Sequence, residues 1–289
     1  MIIKEEIYIE PFDLPRVLHI YIPDDIQVGE RFPVMYMYDG HNLFLDEDAT
    51  YGKSWGIKDF LDTVEGRVII VGLECNHQGN MRLCEFSPYS FKDEEFGSVK
   101  GLGKITTNWI VDVLKPYIDE NYPTLPEREF TGIGGSSMGG LMAIYGVALR
   151  SDIFSKGACV SPFYDHVFER LVHDISKTQL NPDTKVYISW GRKEFGDSKS
   201  LALGTEKNLL ISRILTEKGA NVFPHLLIEG EHNEQSWEKE VPIFFSELNF
   251  IDLLYNKKLS VFQFSDSFKI FLNLLFKLFY AIYICAFFY

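Results

Sequence analysis

Residues 130–143 read Phe-Thr-Gly-Ile-Gly-Gly-Ser-Ser-Met-Gly-Gly-Leu-Met-Ala, and this stretch decides which fold is expected. It contains the pattern Gly-x-Ser-x-Gly, with Ser137 between Gly135 and Gly139. A serine on a tight turn between a strand and a helix has a strained backbone, and side chains two residues to either side would collide. Glycine at both positions removes that collision, so the spacing predicts Ser137 as a nucleophile. Ser136 does not fit, because a methionine stands two residues after it.

The flanking sequence provides the strand and the helix that this motif requires. Phe130–Gly134 is predicted as a strand, and Gly140–Leu149 has apolar residues at helical spacing. The start of that helix would point the Met138 amide at a developing oxyanion, and the helix dipole would add a favourable potential. A phosphate-binding loop is disfavoured, because no Lys-Ser or Lys-Thr pair follows the glycines. A purely structural glycine turn is the alternative.

Apolar runs of strand length alternate with longer segments of helical period over about the first 250 residues. This alternation, with the serine motif, predicts an α/β-hydrolase fold: a mostly parallel central sheet flanked by helices on both faces. The predicted strands are Val17–Ile22, Pro33–Tyr38, Val68–Leu73, Phe130–Gly134, Gly157–Val160, Lys185–Trp190 and Val222–Ile228. The predicted helices are Thr106–Glu120, Gly140–Leu149, Leu201–Lys218 and Trp237–Leu248.

Composition limits the partners and the location that are expected. The 289 residues carry a formal net charge of −13, which would repel a phosphate backbone, so nucleic acid is not an expected partner. Hydrophobic residues at 46% and charged residues at 24% are typical of a globular domain. The four cysteines lack CxxC spacing, which indicates reduced, buried thiols rather than a zinc site or a disulfide framework. The acidic N-terminus shows no secretory pattern, so a cytoplasmic location is expected.

Residues 255–289 form an apolar tail that differs in composition from residues 1–254, the predicted catalytic domain. Ile270–Tyr289 contains only Asn273 and Lys277 as strongly polar side chains, and it is about long enough to span a bilayer. Three roles stay open for the tail: a helix packed on the body or on a dimer partner, a C-terminal membrane anchor, or an extension without function. Membrane association and homo-oligomers both stay open as a result.

An activated serine needs a general base, and that base needs a carboxylate to orient it. In an α/β hydrolase the chain order is serine, acid, histidine. Among the histidines after Ser137, His232 lies in a polar loop between a predicted strand and a predicted helix, where an imidazole can reach the sheet edge. Glu194, three residues past the strand end at Gly191, is the preferred acid. Asp197 is the second choice.

A second oxyanion donor is expected after an earlier strand, in the run Tyr38-Asp39-Gly40-His41-Asn42. Gly40 lets the backbone turn an amide inward. The N–H of His41 is therefore the preferred donor, and the N–H of Asn42 is the next choice. An ordinary Asp-Gly turn is the alternative interpretation.

Several separated motifs together resemble the Putative esterase family of α/β hydrolases, which includes esterase D, enterochelin esterases, feruloyl esterases and the antigen 85 mycolyltransferases. The resemblance covers about residues 15 to 250. Its motifs are residues 38–44, Val71-Gly72-Leu73, Arg82, Glu85-Phe86-Ser87-Pro88, residues 114–119, residues 134–140, His232-Asn233 and Trp237. It implies Ser137, Glu194 and His232 as nucleophile, acid and base. It also implies oxyanion amides at Met138 and His41, although the family usually has glutamine at the position of His41.

The expected reaction is hydrolysis of a small-molecule carboxylic ester through an acyl-enzyme, without a metal or an organic cofactor. Trp55, Arg82 and Tyr89 fall in loops expected to flank the nucleophile and are candidates for the substrate pocket. A structural salt bridge between Arg82 and Glu85 is an equally good interpretation. Two alternative functions stay open. One is an acyltransferase in which a sugar or a thiol replaces water, and the other is a non-catalytic binding protein on the same scaffold.

Overall fold

The computed structural model describes residues 1–64 and 67–251, which form ten strands and nine α-helices. The strands are β1 (Ile2–Ile9), β2 (Leu14–Tyr21), β3 (Val34–Tyr38), β4 (Ile69–Leu73), β5 (Phe91–Asp93), β6 (Gly97–Val99), β7 (Thr131–Ser136), β8 (Lys156–Val160), β9 (Lys185–Gly191) and β10 (Asn221–Leu227). The helices are α1 (Ile57–Thr63), α2 (Met81–Glu85), α3 (Gly103–Trp109), α4 (Lys115–Asn121), α5 (Met138–Leu149), α6 (Phe168–Ile175), α7 (Ser198–Glu217), α8 (Glu234–Glu238) and α9 (Val241–Glu247).

Eight of these strands form one sheet, in the order β1-β2-β4-β3-β7-β8-β9-β10. Only the β1–β2 and β2–β4 pairs are antiparallel, and every other neighbouring pair is parallel. Parallel neighbours need a crossover connection, and the crossovers contain the helices that cover the sheet. The prediction of a mostly parallel sheet is therefore confirmed.

Successive residues of the central strands point into two separate hydrophobic cores. In β3, Tyr36 and Tyr38 belong to the core beneath α3 to α7, whereas Met35 and Met37 belong to the core beneath α1, α8 and α9. This division follows from the two-residue period of side chains along a strand. Helices therefore cover both faces of the sheet, as the sequence predicts.

All seven predicted strands are present, with ends shifted by a few residues. Strand β1 and the small β5–β6 hairpin were not predicted. In β1 the charged run Lys4-Glu5-Glu6 obscures the alternation of apolar and polar residues that is typical of a strand. The strand tolerates these charges because it lies at the edge of the sheet and is partly exposed. The prediction of one helix over Trp237–Leu248 is wrong, because two short helices occupy it and Pro242 lies in the first turn of the second.

The predicted boundary at residue 254 and the apolar tail lie outside the described residues. No helix within residues 1–64 and 67–251 is long and apolar enough to cross a membrane. The thiols of Cys75, Cys84 and Cys159 are free and buried, so the prediction of buried thiols without disulfide bonds is confirmed for these three cysteines.

Candidate active site

Ser137 lies on a sharp turn between β7 and α5. Its backbone has φ 56° and ψ −120°, a left-handed φ that is rare for a residue with a side chain. A Cβ atom on Gly135 would lie 3.0 Å from the backbone of Gly139, and one on Gly139 would lie 2.9 Å from the Cβ of Tyr38. The steric reason proposed for the Gly-x-Ser-x-Gly spacing therefore holds in the structure.

Two backbone N–H groups near this turn are available to an incoming ligand. Met138 is the first residue of α5, and its N–H, like that of His41, has no carbonyl acceptor among the described residues. The N–H of Asn42 instead donates to the carbonyl of Asp39 at 2.9 Å. Of the two donors considered after β3, only His41 is therefore unengaged.

Gly40 is required for a reason that differs from the predicted one. The left-handed residue of this turn is Asp39, with φ 57°, and not Gly40. A Cβ atom on Gly40 would lie 2.4 Å from the backbone carbonyl of Gly72 in β4. Glycine at position 40 therefore allows the turn to pack directly against the neighbouring strand.

His232 and Glu194 meet although 38 residues separate them in the chain. Nδ1 of His232 lies 3.0 Å from Oε2 of Glu194. The other carboxylate oxygen, Oε1, accepts hydrogen bonds from the Gly191 N–H and the Ser161 hydroxyl, each at 2.6 Å. Three donors therefore hold a carboxylate that is only 10% exposed, and they fix the orientation of the imidazole.

Asp197, the second choice for the acid, has a structural role instead. It is the N-cap residue of α7, and its Oδ1 accepts hydrogen bonds from the N–H groups of Lys199 and Ser200 at 2.8 and 2.9 Å. These hydrogen bonds lower the pKa of Asp197, and the one from the Ser200 N–H has the largest effect. The structure thus brings Glu194, and not Asp197, to His232.

Ser161, which was not among the predicted site residues, connects Glu194 to a buried tryptophan. Its hydroxyl donates to Glu194 and accepts a hydrogen bond from Nε1 of Trp237 at 3.1 Å. The ring of Trp237 also contacts His232 edge to face, with 5.1 Å between the ring centroids. Ser161 follows β8 directly and has a left-handed φ of 42°. A polar residue at the carboxyl end of a parallel strand was the available signal.

Ser137 and His232 line the same cavity, which has a volume of about 510 Å³. Most of the side chains that line it belong to polar residues, among them Asn76, His77, Asn233, Thr50 and Tyr51. Among the described residues, no hydrogen bond joins the Ser137 hydroxyl to the imidazole. Such contacts are often long in ligand-free enzymes and shorten when substrate binds.

Arg82 lies in the cavity wall and pairs with Asp39, not with Glu85. Its Nε and Nη2 donate to the two oxygens of Asp39 at 2.8 and 2.7 Å. Burial raises the pKa of Asp39, but the charge of Arg82 outweighs it and holds the pKa below its usual value. Glu85 accepts from Arg16 at 2.8 Å, so the Arg82–Glu85 salt bridge considered from the sequence is wrong.

The two aromatic candidates for the substrate pocket lie outside the residues that line the cavity. Trp55 is 2% exposed and packs against Trp237, with 5.6 Å between ring centroids. Tyr89 donates its hydroxyl hydrogen to Asp174 at 2.7 Å. Because both rings are engaged in packing or in hydrogen bonds elsewhere, only Arg82 of the three predicted pocket residues lines the cavity.

The side chain of His41 forms part of a polar group that was not predicted. His41 is 4% exposed, and its Nε2 lies 2.9 Å from the hydroxyl of Thr50. Its ring contacts that of His77, with 4.8 Å between centroids. Burial lowers the pKa of His41, which favours the neutral imidazole despite the nearby Asp39 carboxylate.

A strained serine between a parallel strand and a helix, beside a histidine paired with a carboxylate, defines the α/β-hydrolase class of enzymes. The chain belongs to the Putative esterase family, whose model matches residues 12–248. It is accordingly a hydrolase. A curated relative, the uncharacterized protein YbbA of Bacillus subtilis, is 24% identical over 209 residues, which are 71% of this chain and 79% of that protein.

Solved structures similar to this chain have the same fold at low sequence identity. An IroE-like serine hydrolase from Shewanella oneidensis has a TM-score of 0.69 and 17% identity, and the match covers 88% of this chain and 83% of the other. The S-formylglutathione hydrolase FrmB from Staphylococcus aureus has a TM-score of 0.60 and 15% identity, with 86% and 96% covered. A ferulic acid esterase from Anaeromyces mucronatus has a TM-score of 0.58 and 18% identity, with 87% and 92% covered.

Proposed function

We propose that the protein is a serine carboxylic-ester hydrolase in which Ser137, His232 and Glu194 form the catalytic triad. One observation carries the proposal. The imidazole that faces the cavity of Ser137 is held at 3.0 Å by a carboxylate fixed by two further donors. This is the arrangement that activates a serine hydroxyl in unrelated hydrolases.

In the proposed reaction, Ser137 Oγ attacks the ester carbonyl while Nε2 of His232 takes the hydroxyl proton. The Nδ1–H of the imidazole donates to Glu194, so the Nε2 lone pair faces the serine. The negative charge that forms on the carbonyl oxygen is stabilised by the N–H groups of Met138 and His41. The imidazolium then protonates the leaving alcohol, and the acyl group stays on Ser137. Water attacks this acyl-enzyme with the same imidazole as base, which releases the carboxylic acid and restores the serine.

The cavity wall indicates the kind of ester that fits. Amide, hydroxyl and imidazole groups surround the nucleophile, and the Arg82–Asp39 pair closes part of the wall. Long aliphatic acyl chains would desolvate these groups without giving them hydrogen-bond partners. We therefore expect short or hydrogen-bonding acyl groups to be preferred over long alkyl chains.

A fluorophosphonate probe and a panel of chromogenic esters of increasing acyl length test the proposal together. Wild-type protein should label at one serine and hydrolyse the short esters fastest. Ser137→Ala should abolish labelling and lower kcat at least about 10³-fold, because the attacking atom is removed. Ser136→Ala is the matched control, since this adjacent serine also lines the cavity, and it should still label. Hydrolysis that persists in Ser137→Ala would contradict the proposal.

Acyl transfer uses the same acyl-enzyme, so the fate of the acyl group distinguishes the two activities. For a hydrolase, added sugar or thiol acceptors should leave the free acid as the main product. Predominant transfer to an acceptor at millimolar concentration would favour the acyltransferase. A chain that neither labels nor hydrolyses any ester would favour the non-catalytic binding protein.

A further inference from the structure

Three side chains that commonly ligate metals meet in the wall of the active-site cavity. They are the imidazoles of His41 and His77 and the thiol of Cys75, and their ligand atoms all lie within 4.8 Å of one another. We infer that this cluster binds one divalent cation of the zinc class. This cluster was not predicted, because 34 residues separate Cys75 from His41 in the chain.

One ligand spacing already matches a tetrahedral site. Sγ of Cys75 lies 3.8 Å from Nδ1 of His77. With Zn–S and Zn–N bonds of about 2.3 and 2.0 Å, sulfur and nitrogen on one tetrahedral zinc lie about 3.6 Å apart. The widest of the three spacings, at most 4.8 Å, has to close by about 1 Å to complete the set, given the usual zinc–ligand distances. The side chain of His77 is 55% exposed, so it is free to make most of this adjustment.

Among the described residues, the hydrogen bonds around the two imidazoles leave Nδ1 of His41 without a partner and Nδ1 of His77 in contact only with the Cys75 thiol that would share the metal. Nε2 of His77 lies 2.9 Å from a carboxylate oxygen of Glu74, an acceptor, so the proton of a neutral ring is on Nε2. Nε2 of His41 lies 2.9 Å from the Thr50 hydroxyl, and its Nδ1 is buried without any hydrogen-bond partner in the described chain. A carboxylate that holds the distal nitrogen of a ligating histidine is a common supporting contact at zinc sites.

The donor set selects the cation. Two imidazole nitrogens and one thiolate suit Zn²⁺ or Co²⁺, and they do not suit Mg²⁺ or Ca²⁺, which prefer oxygen. On binding, the metal replaces the proton of the Cys75 thiol, and that proton goes to the solvent. The S–metal bond leaves a net charge of +1 at the site, and the Glu74 carboxylate is close enough to balance it.

Cobalt binding to the full chain tests the inference, because a thiolate–Co²⁺ bond has an intense near-ultraviolet charge-transfer band. Wild-type protein should bind one Co²⁺ per chain with this band. Cys75→Ser should abolish the band, and His77→Ala should weaken binding at least about 10-fold. The controls are Cys84→Ser, another buried thiol, and His173→Ala, which is exposed like His77, and both should bind as wild type does. Ser137→Ala should also bind normally, which separates this inference from the proposed esterase activity.

Several outcomes would overturn the inference. Wild-type protein without a thiolate band, a band that persists in Cys75→Ser, or equal losses in His77→Ala and His173→Ala would each do so. If circular dichroism shows that Cys75→Ser does not fold, His77→Ala still decides, because the His77 side chain is 55% exposed.

Discussion

Glu194→Gln is the substitution whose consequence follows most directly from the hydrogen bonds of the site. Oε1 of Glu194 accepts two hydrogen bonds of 2.6 Å, one from the Gly191 N–H and one from the Ser161 hydroxyl. In the glutamine variant the side-chain oxygen has to keep this position, since the Gly191 N–H is a donor and cannot pair with an amide NH₂. The NH₂ group therefore replaces Oε2 and faces Nδ1 of His232 at about 3.0 Å.

This exchange reverses the tautomer of the base. Nδ1 of His232 has to accept from the amide, so the imidazole proton moves to Nε2, where it faces the serine. An imidazole protonated at Nε2 cannot take the proton of Ser137. The equivalent amide substitution in a serine protease triad lowers kcat by about 10⁴. We expect a similar loss here, equivalent to about 5 kcal/mol of transition-state stabilisation.

The assay compares kcat for a short chromogenic ester between Glu194→Gln and Asp197→Asn. Asparagine caps a helix as well as aspartate does, so the Asp197 variant should keep wild-type kcat. Circular dichroism should show both variants folded. The reasoning would be refuted if Glu194→Gln retained more than about a tenth of wild-type kcat, or if Asp197→Asn lost as much activity as Glu194→Gln.

Three further predictions concern packing and pH. Gly139→Ala places a methyl group 2.9 Å from the Cβ of Tyr38 and should lower the free energy of unfolding, measured in urea, by about 1–3 kcal/mol. Gly196→Ala, whose new methyl group would have no atom within 4 Å, should leave that free energy almost unchanged. Burial alone would raise the pKa of Glu74, but its close contacts with His19 and His77 outweigh burial and lower the pKa to about 2. The ionised Glu74 carboxylate therefore contributes fully to stability above about pH 4.5, and this contribution is lost as pH falls toward 2. Glu74→Gln should lower Tm at pH 6, and the difference in Tm from wild type should disappear near pH 2. Burial raises the pKa of Glu240 to about 7, so its ionisation destabilises the fold as pH rises above 4.5. Glu240→Gln should then raise the free energy of unfolding by up to about 3 kcal/mol at pH 8 and by almost nothing at pH 4, and an equal gain at both values would contradict this cause.

The architecture was predictable because its signals are local. Runs such as Val68–Leu73 are apolar and β-branched over the length of one strand, and the glycines around Ser137 report a steric constraint within five residues. The secondary-structure predictions failed where the local sequence pattern disagrees with the tertiary surroundings of the segment. Strand β1 pairs at the sheet edge in spite of three consecutive charged residues. The segment Trp237–Leu248 has a helical pattern throughout, yet it breaks into two helices before Pro242.

The candidate site was predictable in outline for a different reason. Chain order and position after a strand selected His232 and placed Glu194 ahead of Asp197, but both carboxylates suited the sequence argument. The choice between them depends on which donors surround each carboxylate. The Asp197 carboxylate accepts hydrogen bonds from N–H groups of its own helix. The Glu194 carboxylate contacts the imidazole of His232.

The fold class and the candidate nucleophile could be predicted from short stretches of sequence, because backbone strain, glycine spacing and hydrophobic period act between residues close in the chain. Three contacts depend on the tertiary structure instead: the pairing of Arg82 with Asp39, the link from Trp237 through Ser161 to Glu194, and the meeting of Cys75 with His41. These contacts join residues from separate loops at one end of a parallel sheet. Their distances depend on the order and the twist of the strands, which no short stretch of sequence specifies.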